Sequence, residues 1–335
     1  MITPAIGTQE LYKQLDILLQ SDTPVFIHGS PGIGKSYIVN DIAQKNGLEI
    51  IDVRLSQLDA VDLRGIPTIT NEQTKWMPPV FLPQDQNSEG ILFLDELNSA
   101  PLSVQAAIYQ LVLDRKIGEY SLPKGWRIVC AGNKIDDKGI VFKLPSPLIN
   151  RMIHIVLEAK FDDFKVWAIK NKIHPFIIGF LGFRPDLLSS EIPGASETNP
   201  AFCTPRAWSM LSNILNVKEE ISAINPIIYG TVGYGAGIEF LSFVKVYKNL
   251  PDIDAILSGE SQSVPQEPSA LYALCAALIE KYADHEHANN LFAYVQNLPV
   301  EFNVMLIKDL ITKDESIAEL EPFDSWMESF GEYII

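Results

Sequence analysis

A glycine-rich stretch near the start of the chain, TPVFIHGSPGIGKSYI at residues 23–38, constrains the fold more than any other feature. Gly29, four residues, and then Gly34, Lys35 and Ser36 have the spacing of a phosphate-binding P-loop. The apolar residues before Gly29 predict a strand. A helix is expected to begin near Gly34, with its positive end directed at the same loop. In such a loop Lys35 would contact the β- and γ-phosphates of a nucleotide, and the Ser36 hydroxyl would bind Mg²⁺. The predicted nucleotide-binding residues are Gly29, Ser30, Pro31, Gly32, Ile33, Gly34, Lys35, Ser36 and Tyr37.

A second apolar run, ILFLDE at residues 91–96, predicts a buried strand that ends in two adjacent carboxylates. Consecutive side chains point to opposite faces of a strand, so the two acids could not share one task inside the strand. Where the strand ends and the chain begins to turn, each can take a separate role. We expect Asp95 to hold the Mg²⁺ shell, and Glu96 to orient or deprotonate the attacking water.

The composition is typical of a globular protein with an acidic surface. The chain has 335 residues, 47% of them hydrophobic, and a net charge of −16. This charge disfavours a large non-specific surface for nucleic acid. Three widely spaced cysteines and the absence of a basic, then apolar, start at Met1–Leu11 predict a cytoplasmic protein. The uncharged run Ile221–Ile238 contains several glycines and a proline, which favours a helix end with tight turns over a membrane span.

Strand and helix patterns alternate up to residue 157, which predicts an α/β fold with a parallel sheet and the P-loop at its carboxyl edge. Thr8 is a candidate N-cap for a first helix, and Asn71 with two prolines after it indicates a hairpin. Beyond residue 158 the patterns are helical, and SGESQSVPQEPS at 258–269 has the composition of a linker or surface loop. We expect three domains: a P-loop nucleotide-binding core at 1–157, a helical lid at 158–257 and a C-terminal helical extension at 258–335.

Two short motifs also fit a GTPase. The chain has D-x-x-G at Asp62–Gly65 and N-K-x-D at Asn133–Asp136, and the last aspartate would contact guanine. The first aspartate should end a buried strand beside the P-loop, whereas Asp62 follows a polar stretch. Short motifs need their structural context, so a monomeric GTP-dependent switch stays an alternative and not the favoured reading.

Together, these motifs resemble those of the AAA+ ATPases, and more narrowly those of the MoxR family. Walker A is GSPGIGKS and Walker B is ILFLDELN. The segment DLRGIPTITNEQTKWMPP resembles the helix-2 insert of that family. LNSAPLSVQAAIYQLVLDRKIGEYSLP resembles its following helix and the hairpin before sensor 1. The likeness covers about the first 250 residues.

The resemblance implies ATP and Mg²⁺ as ligands and gives roles to three further residues. Asn133 in CAGNK corresponds to sensor 1, which positions the lytic water. Arg151 in LPSPLINR is at the position of the arginine finger, which reaches the γ-phosphate in the neighbouring subunit. Arg206 in TPRAW corresponds to the sensor 2 arginine of the lid. An arginine supplied by a neighbour makes hydrolysis depend on assembly, so a ring, expected to be a hexamer, is implied.

The resemblance also implies a biological role. It suggests a chaperone-like ATPase that remodels or matures a protein client, with a partner carrying a von Willebrand factor A domain. A DNA-acting motor and a chelatase-type motor are the alternatives within the AAA+ class. Arg115 and Lys116, on the hairpin before Asn133, are candidates for lining a central pore, and equally for a solvated surface.

Overall fold

The computed structural model describes residues 4–70, 72–134, 137, 141–190, 201–217, 221–282 and 285–333. The chain forms two compact units, Met1–Ala159 and Lys160–Ile335. The first unit contains ten strands and five α-helices among its described residues. Its strands are β1 (Ala5–Ile6), β2 (Val25–His28), β3 (Glu49–Arg54), β4 (Ile66–Thr70), β5 (Gln73–Met77), β6 (Glu89–Asp95), β7 (Lys116–Ile117), β8 (Tyr120–Ser121), β9 (Gly125–Gly132) and β10 (Ile153–Leu157). Its helices are α1 (Thr8–Leu18), α2 (Lys35–Lys45), α3 (Ala60–Arg64), α4 (Leu102–Asp114) and α5 (Ser146–Ile149).

Six of these strands form one parallel sheet in the order β1-β10-β2-β9-β6-β3. Strand β2 lies between β10 and β9, so the P-loop begins at the centre of the sheet. Two hydrophobic clusters fill the first unit, one containing Leu11, Val39 and Ile91 and the other Leu92, Ile108 and Trp126. Neighbouring residues of β6 thus belong to different clusters, as expected for a strand buried on both faces. The predicted α/β class, with a parallel sheet and the P-loop at its carboxyl edge, is confirmed.

Strands β4 and β5 form a separate antiparallel hairpin. Ile69 is 85% exposed and Trp76 39% exposed. The hairpin begins at Gly65, whose φ of 83° is left-handed and where a Cβ would lie 1.9 Å from the Met77 carbonyl oxygen. Only glycine can therefore occupy the start of this hairpin. The predicted excursion is present, while Asn71 lies outside the described residues.

Two local expectations need correction, and the short strand β1 was not predicted. Thr8 is the first residue of α1 and not its N-cap, which is Gly7. Strand β1 has only two residues, too few for a sequence pattern to reveal it. The uncharged run Ile221–Ile238 is mostly helical, and one turn at Gly233, with φ 90°, separates its two α-helices. Its glycines are therefore compatible with helix, because burial of the apolar side chains outweighs their low helix propensity.

The second unit is helical throughout its described elements. Its α-helices are α6 (Phe161–Lys170), α7 (Pro175–Phe183), α8 (Pro205–Leu215), α9 (Asn225–Val232), α10 (Tyr234–Tyr247), α11 (Ile253–Leu257), α12 (Pro268–Lys281), α13 (Ala288–Val295), α14 (Val300–Lys313) and α15 (Glu321–Phe330). No helix among the described residues is both long and apolar enough to span a bilayer. The expected divide between a lid at 158–257 and an extension at 258–335 stays a prediction. Helix α12 lies beyond that divide and packs on α7 before it.

Candidate nucleotide-binding site

The P-loop connects the end of β2 to the start of α2 with two left-handed glycines. Gly32 has φ 78°, and Gly34, the N-cap of α2, has φ 99°. These angles are costly for residues with a Cβ, so the loop can close tightly only with glycine at both positions. Lys35, the first residue of α2, is 9% exposed, and its ammonium group donates to the carbonyl oxygens of Gly29 and Ser30. The lysine is thus folded into its own loop, with its charge at the N-terminal end of α2.

The carboxylate of Asp95 lies directly beside the P-loop helix. The Ser36 hydroxyl donates to its Oδ2 at 2.8 Å, and the backbone N–H of Glu96 donates to Oδ1 at the same distance. Asp95 is 8% exposed. A hydroxyl and a carboxylate are hard oxygen ligands of the kind that Mg²⁺ prefers. Ser36 and Asp95 together therefore fit the binding of a magnesium ion.

Glu96 leaves the strand in a different direction from Asp95. Its backbone has φ 58° and ψ 31°, a left-handed conformation that is costly for a residue with a side chain. The Glu96 carboxylate accepts a hydrogen bond from the hydroxyl of Ser56, in the turn after β3. The two adjacent acids thus have separate partners, Ser36 for one and Ser56 for the other.

Asn133 follows the neighbouring strand β9 and lies beside the P-loop lysine. Its Oδ1 lies 3.4 Å from the Lys35 ammonium nitrogen. In the loop after it, Asp137 accepts from the Ser30 hydroxyl and from the backbone N–H of Lys134, both at 2.9 Å. The structure therefore brings together the P-loop, the acidic strand end and Asn133 at one edge of the sheet.

A pair of histidines lies behind the loop. His28 Nε2 is 2.8 Å from His154 Nδ1, and His154 Nε2 is 2.8 Å from the carbonyl oxygen of Ile149. A carbonyl can only accept, so His154 carries its proton on Nε2 and His28 donates to the remaining nitrogen. Burial, then His154 and then Lys35, lowers the pKa of His28 to about 4. The pair of imidazole rings connects the P-loop strand to α5, the helix just before Arg151.

The two arginines occupy exposed positions in different units. Arg151 follows α5 in the first unit, and its side chain is exposed. Arg206 is exposed in the first turn of α8 in the second unit, where the Thr204 side chain caps the helix. Their roles toward a nucleotide stay predictions.

Sequence reasoning gave no role to Ser56, Asn98 or Asp137. Asn98 lies inside the quoted Walker B stretch, but sequence spacing does not reveal its hydrogen bonds to Asn133, which follows β9. Ser56 lies in the short 3-10 helix Leu55–Gln57 and Asp137 in a loop, and neither segment is long enough to show a periodic pattern. For these three residues only the tertiary structure shows the partner.

Other motif residues have structural partners. The Asp62 carboxylate of the D-x-x-G motif accepts from the backbone N–H of Asp59 in a capping box at the start of α3. Asp136, the predicted guanine contact, lies outside the described residues. The guanidinium of Arg115 donates to the carbonyl oxygens of Pro123 and Trp126 at 2.8 and 2.7 Å. It therefore fastens the base of its hairpin.

The chain also matches known proteins in sequence. Residues 24–152 match a family model described as "AAA domain (dynein-related subfamily)". Midasin from Dictyostelium discoideum is 28% identical over 171 residues, and midasin from Giardia intestinalis is 30% identical over 162. These matches cover 48% and 46% of this chain but 3% of each midasin. Lon protease from Aquifex aeolicus is 24% identical over 209 residues, covering 58% of this chain and 25% of that protein.

Solved structures show only a distant likeness. RuvB from Thermotoga maritima, as a K64R mutant, has 17% identity and a TM-score of 0.40, with 82% of each chain covered. NtrX from Brucella abortus, in complex with ADP, has 14% identity and a TM-score of 0.36, with 99% of this chain and 70% of that chain covered. Because both TM-scores are below 0.5, these two structures say nothing about the function of this chain. From the family match and the sheet, the chain contains an AAA domain with the AAA+ P-loop fold.

Proposed function

We propose that this protein is an ATP-hydrolysing, MoxR-like AAA+ ATPase that works as a ring and remodels or matures a protein complex. The observation that carries the proposal is the Ser36–Asp95 hydrogen bond of 2.8 Å, with Lys35 and Asn133 beside it. P-loop hydrolysis needs these groups in one place: a lysine for phosphate, a hydroxyl and a carboxylate for Mg²⁺, and a polar side chain near the lytic water.

In the proposed mechanism each residue has one task. Lys35 would move from its loop carbonyls to the β- and γ-phosphates of ATP, while Ser36 and Asp95 would hold magnesium. The metal ion neutralises charge on the phosphates when bound. Glu96 turns from Ser56 to the attacking water and accepts its proton, and Asn133 orients that water. Most of the rate enhancement then comes from positioning and electrostatic stabilisation.

The arginines extend this mechanism to an assembly. Arg151 from one subunit would stabilise charge on the γ-phosphate bound by its neighbour, and Arg206 would contact the same phosphate from the lid. Hydrolysis would then change the angle between lid and core. The expected assembly is a hexamer. The exposed position of both arginines is compatible with these roles.

The client belongs to the proposal as well. The resemblance to the MoxR family favours a protein client and a partner with a von Willebrand factor A domain. The net charge of −16 works against a DNA substrate. Faster ATP hydrolysis on addition of duplex DNA would favour a DNA-acting motor, and activity in a metal-insertion assay would favour a chelatase-type motor.

Native mass spectrometry of Glu96→Gln, incubated with equal ATP and GTP plus Mg²⁺, tests the proposal. Removing the catalytic carboxylate should trap the preferred nucleotide together with the assembly that it supports. We expect a hexamer that holds ATP, and an otherwise identical Lys35→Ala chain that holds no nucleotide. A monomer holding GTP would contradict the proposal and make Asp136 the next residue to change.

A further inference from the structure

The side chain of Asn98 contacts both backbone groups of Asn133. Asn98 lies in the short 3-10 turn Leu97–Ser99, directly after the two acids, and is 3% exposed. Its Nδ2 donates to the Asn133 carbonyl oxygen at 2.7 Å, and its Oδ1 accepts from the Asn133 N–H at 3.1 Å. A backbone N–H can only donate and a carbonyl can only accept, so the orientation of the Asn98 amide is determined. Two opposed hydrogen bonds to one residue fix both its place and its orientation.

This contact connects the ends of β6 and β9 beyond the point where their backbone pairing stops. Pairing between β6 and β9 runs from Glu89 opposite Gly125 to Leu94 opposite Cys130. Asp95, Glu96 and Asn133 all lie beyond the last of these pairs. The Asn98 amide takes the place of the missing backbone partner, because it offers one donor and one acceptor as a strand residue would. It is the link that joins the acidic end of β6 to Asn133 beyond the ladder.

The sequence around the contact leaves room for the amide. A Cβ at Gly132 would lie 2.2 Å from Asn98 Oδ1 and 2.7 Å from the ring of Phe26, so a larger residue would displace the Asn98 side chain. The Asn98 carbonyl oxygen in turn accepts from the N–H of Phe142 at 2.7 Å. Three segments of the chain therefore meet at one buried asparagine, whose side-chain amide and backbone carbonyl are hydrogen-bonded there.

We infer that Asn98 is a positioning residue for hydrolysis. Its carboxamide holds the Asn133 backbone so that the Asn133 side chain keeps a constant distance from Glu96 and Lys35. Asn98 acts through Asn133 and does not itself touch nucleotide or metal. The inference rests on the proposed function, because it assigns a means of positioning to the residue that orients the water.

Steady-state ATP turnover of four chains tests the inference: wild type, Asn98→Asp, Asn133→Ala and the double variant. Asn98→Asp keeps the size of the side chain and the acceptor for the Asn133 N–H, but replaces the Nδ2 donor with oxygen. We expect kcat to fall about 10- to 100-fold, in the range of losing a positioning contact, with KM for ATP changed less than about three-fold. In the Asn133→Ala background the same change should alter kcat less than about two-fold, because the side chain it positions is gone.

The control is Asn303→Asp. Asn303 is a fully buried asparagine of the second unit, and its Oδ1 accepts from the Trp326 indole N–H. It reports the effect of a buried Asn→Asp change on stability alone, so its kcat should equal that of the wild type. Melting temperatures of all variants show which remain folded. Should Asn98→Asp not fold, Asn98→Ala is judged by the same criteria.

The outcomes separate the inference from the proposed function. A wild-type chain without ATP turnover, or an Asn133→Ala chain as active as the wild type, would contradict the proposed function. A slow Asn133→Ala chain beside an Asn98→Asp chain of normal kcat would overturn the inference alone. Three other results would also overturn the inference alone. They are effects on kcat that multiply in the double variant, a loss of ATP affinity as large as the loss of kcat in Asn98→Asp, and loss of folding in both Asn98 variants.

Discussion

At the scale of single residues, the site is organised by hydrogen bonds between neighbouring loops. The Lys35 ammonium contacts carbonyl oxygens of its own loop, Asp95 accepts from Ser36, and Glu96 accepts from Ser56. Each of these three charged groups therefore has a partner within the protein. These partners hold the three side chains in place. In the proposed reaction the side chains would exchange these partners for phosphate, metal or water.

Ser56→Ala removes the hydroxyl that donates to the Glu96 carboxylate. Glu96 must leave the Ser56 hydroxyl to accept a proton from water, and a hydrogen bond to a charged group contributes about 1.5–3 kcal/mol. Part of that free energy is regained from water, so we expect kcat for ATP hydrolysis to rise about two- to five-fold, with KM for ATP unchanged.

Steady-state turnover measures this effect, with Ser258→Ala as the control. The Ser258 hydroxyl donates to the Ala255 carbonyl on the surface of the second unit, so its loss should leave kcat unchanged. A lower kcat for Ser56→Ala would mean that Ser56 orients Glu96 productively and does not restrain it.

The P-loop and the acidic strand could be predicted at this scale because their chemistry depends on neighbours in sequence. Glycines for a tight turn, a lysine and a hydroxyl at the helix start, and an acid at a strand end are local patterns. The partners Ser56 and Asn98 could not be predicted, because each acts on a residue from another strand end. Their identity depends on strand order, which no short pattern encodes.

At the scale of helices and strands, apolar periodicity predicted most elements, and their ends were the least accurate. Helix α7, from Pro175 to Phe183, lies in the part of the chain beyond residue 158 where the pattern predicts helix. The Thr8 N-cap was wrong by one residue, because Gly7 has the extended backbone that an N-cap needs. Strand β1 was missed, since two residues show no alternation. A helix end depends on one or two backbone angles, whereas its middle depends on many side chains.

The N-cap of α7 predicts a dependence of stability on pH. His174 Nδ1 accepts from the Phe176 N–H at 3.2 Å, and burial lowers the pKa of His174 from 6.5 to about 4. The folded state thus binds fewer protons than the unfolded state between these values. This contribution is fully present above pH 6.5 and is lost as the pH falls towards 4, where the ring becomes charged.

His174→Asn should reduce this dependence, because asparagine is also a good N-cap but does not titrate. Urea denaturation at pH 7 and pH 5 measures the free energy of unfolding. Between these pH values we expect the wild type to lose about 1–2 kcal/mol more than the variant, after allowance for partial exposure of the ring. The other histidines are common to both chains and cancel. An equal loss in both chains would show that His174 is not the responsible group.

At the scale of the whole molecule, a buried ion pair joins the beginning and the end of the second unit. Lys165 on α6 and Asp309 on α14 are 2.8 Å apart, and their side chains are 14% and 7% exposed. Burial raises the pKa of Asp309, and the Lys165 ammonium opposes that shift. The pair lies beside Cys275 and Tyr272 of α12, so the cores of the earlier and later helices are continuous.

Asp309→Ala should destabilise the chain strongly. It leaves the Lys165 charge buried without its partner, which costs about 3–5 kcal/mol. The double variant Lys165→Met with Asp309→Leu removes both charges and should recover most of that loss. Urea denaturation followed by tryptophan fluorescence measures both effects on the free energy of unfolding.

Lys281→Ala is the matched control. It breaks an ion pair of similar length with Asp254, 3.0 Å apart, whose side chains are 51% and 71% exposed. Solvent screens such a pair, so the expected change is below about 1 kcal/mol. If Asp309→Ala were as stable as this control, the buried pair would not be what holds the two ends of the unit together.

The same ion pair has a consequence for co-translational folding. Domains emerge from the amino terminus first, and contacts between distant residues form late. Lys165 leaves the exit tunnel long before Asp309 has been synthesised, so its ammonium group must remain hydrated until α14 has been made. The first unit can meanwhile close its sheet, because β10 ends at Leu157. The nascent chain should therefore form its candidate nucleotide-binding site before α14 completes the core of the second unit.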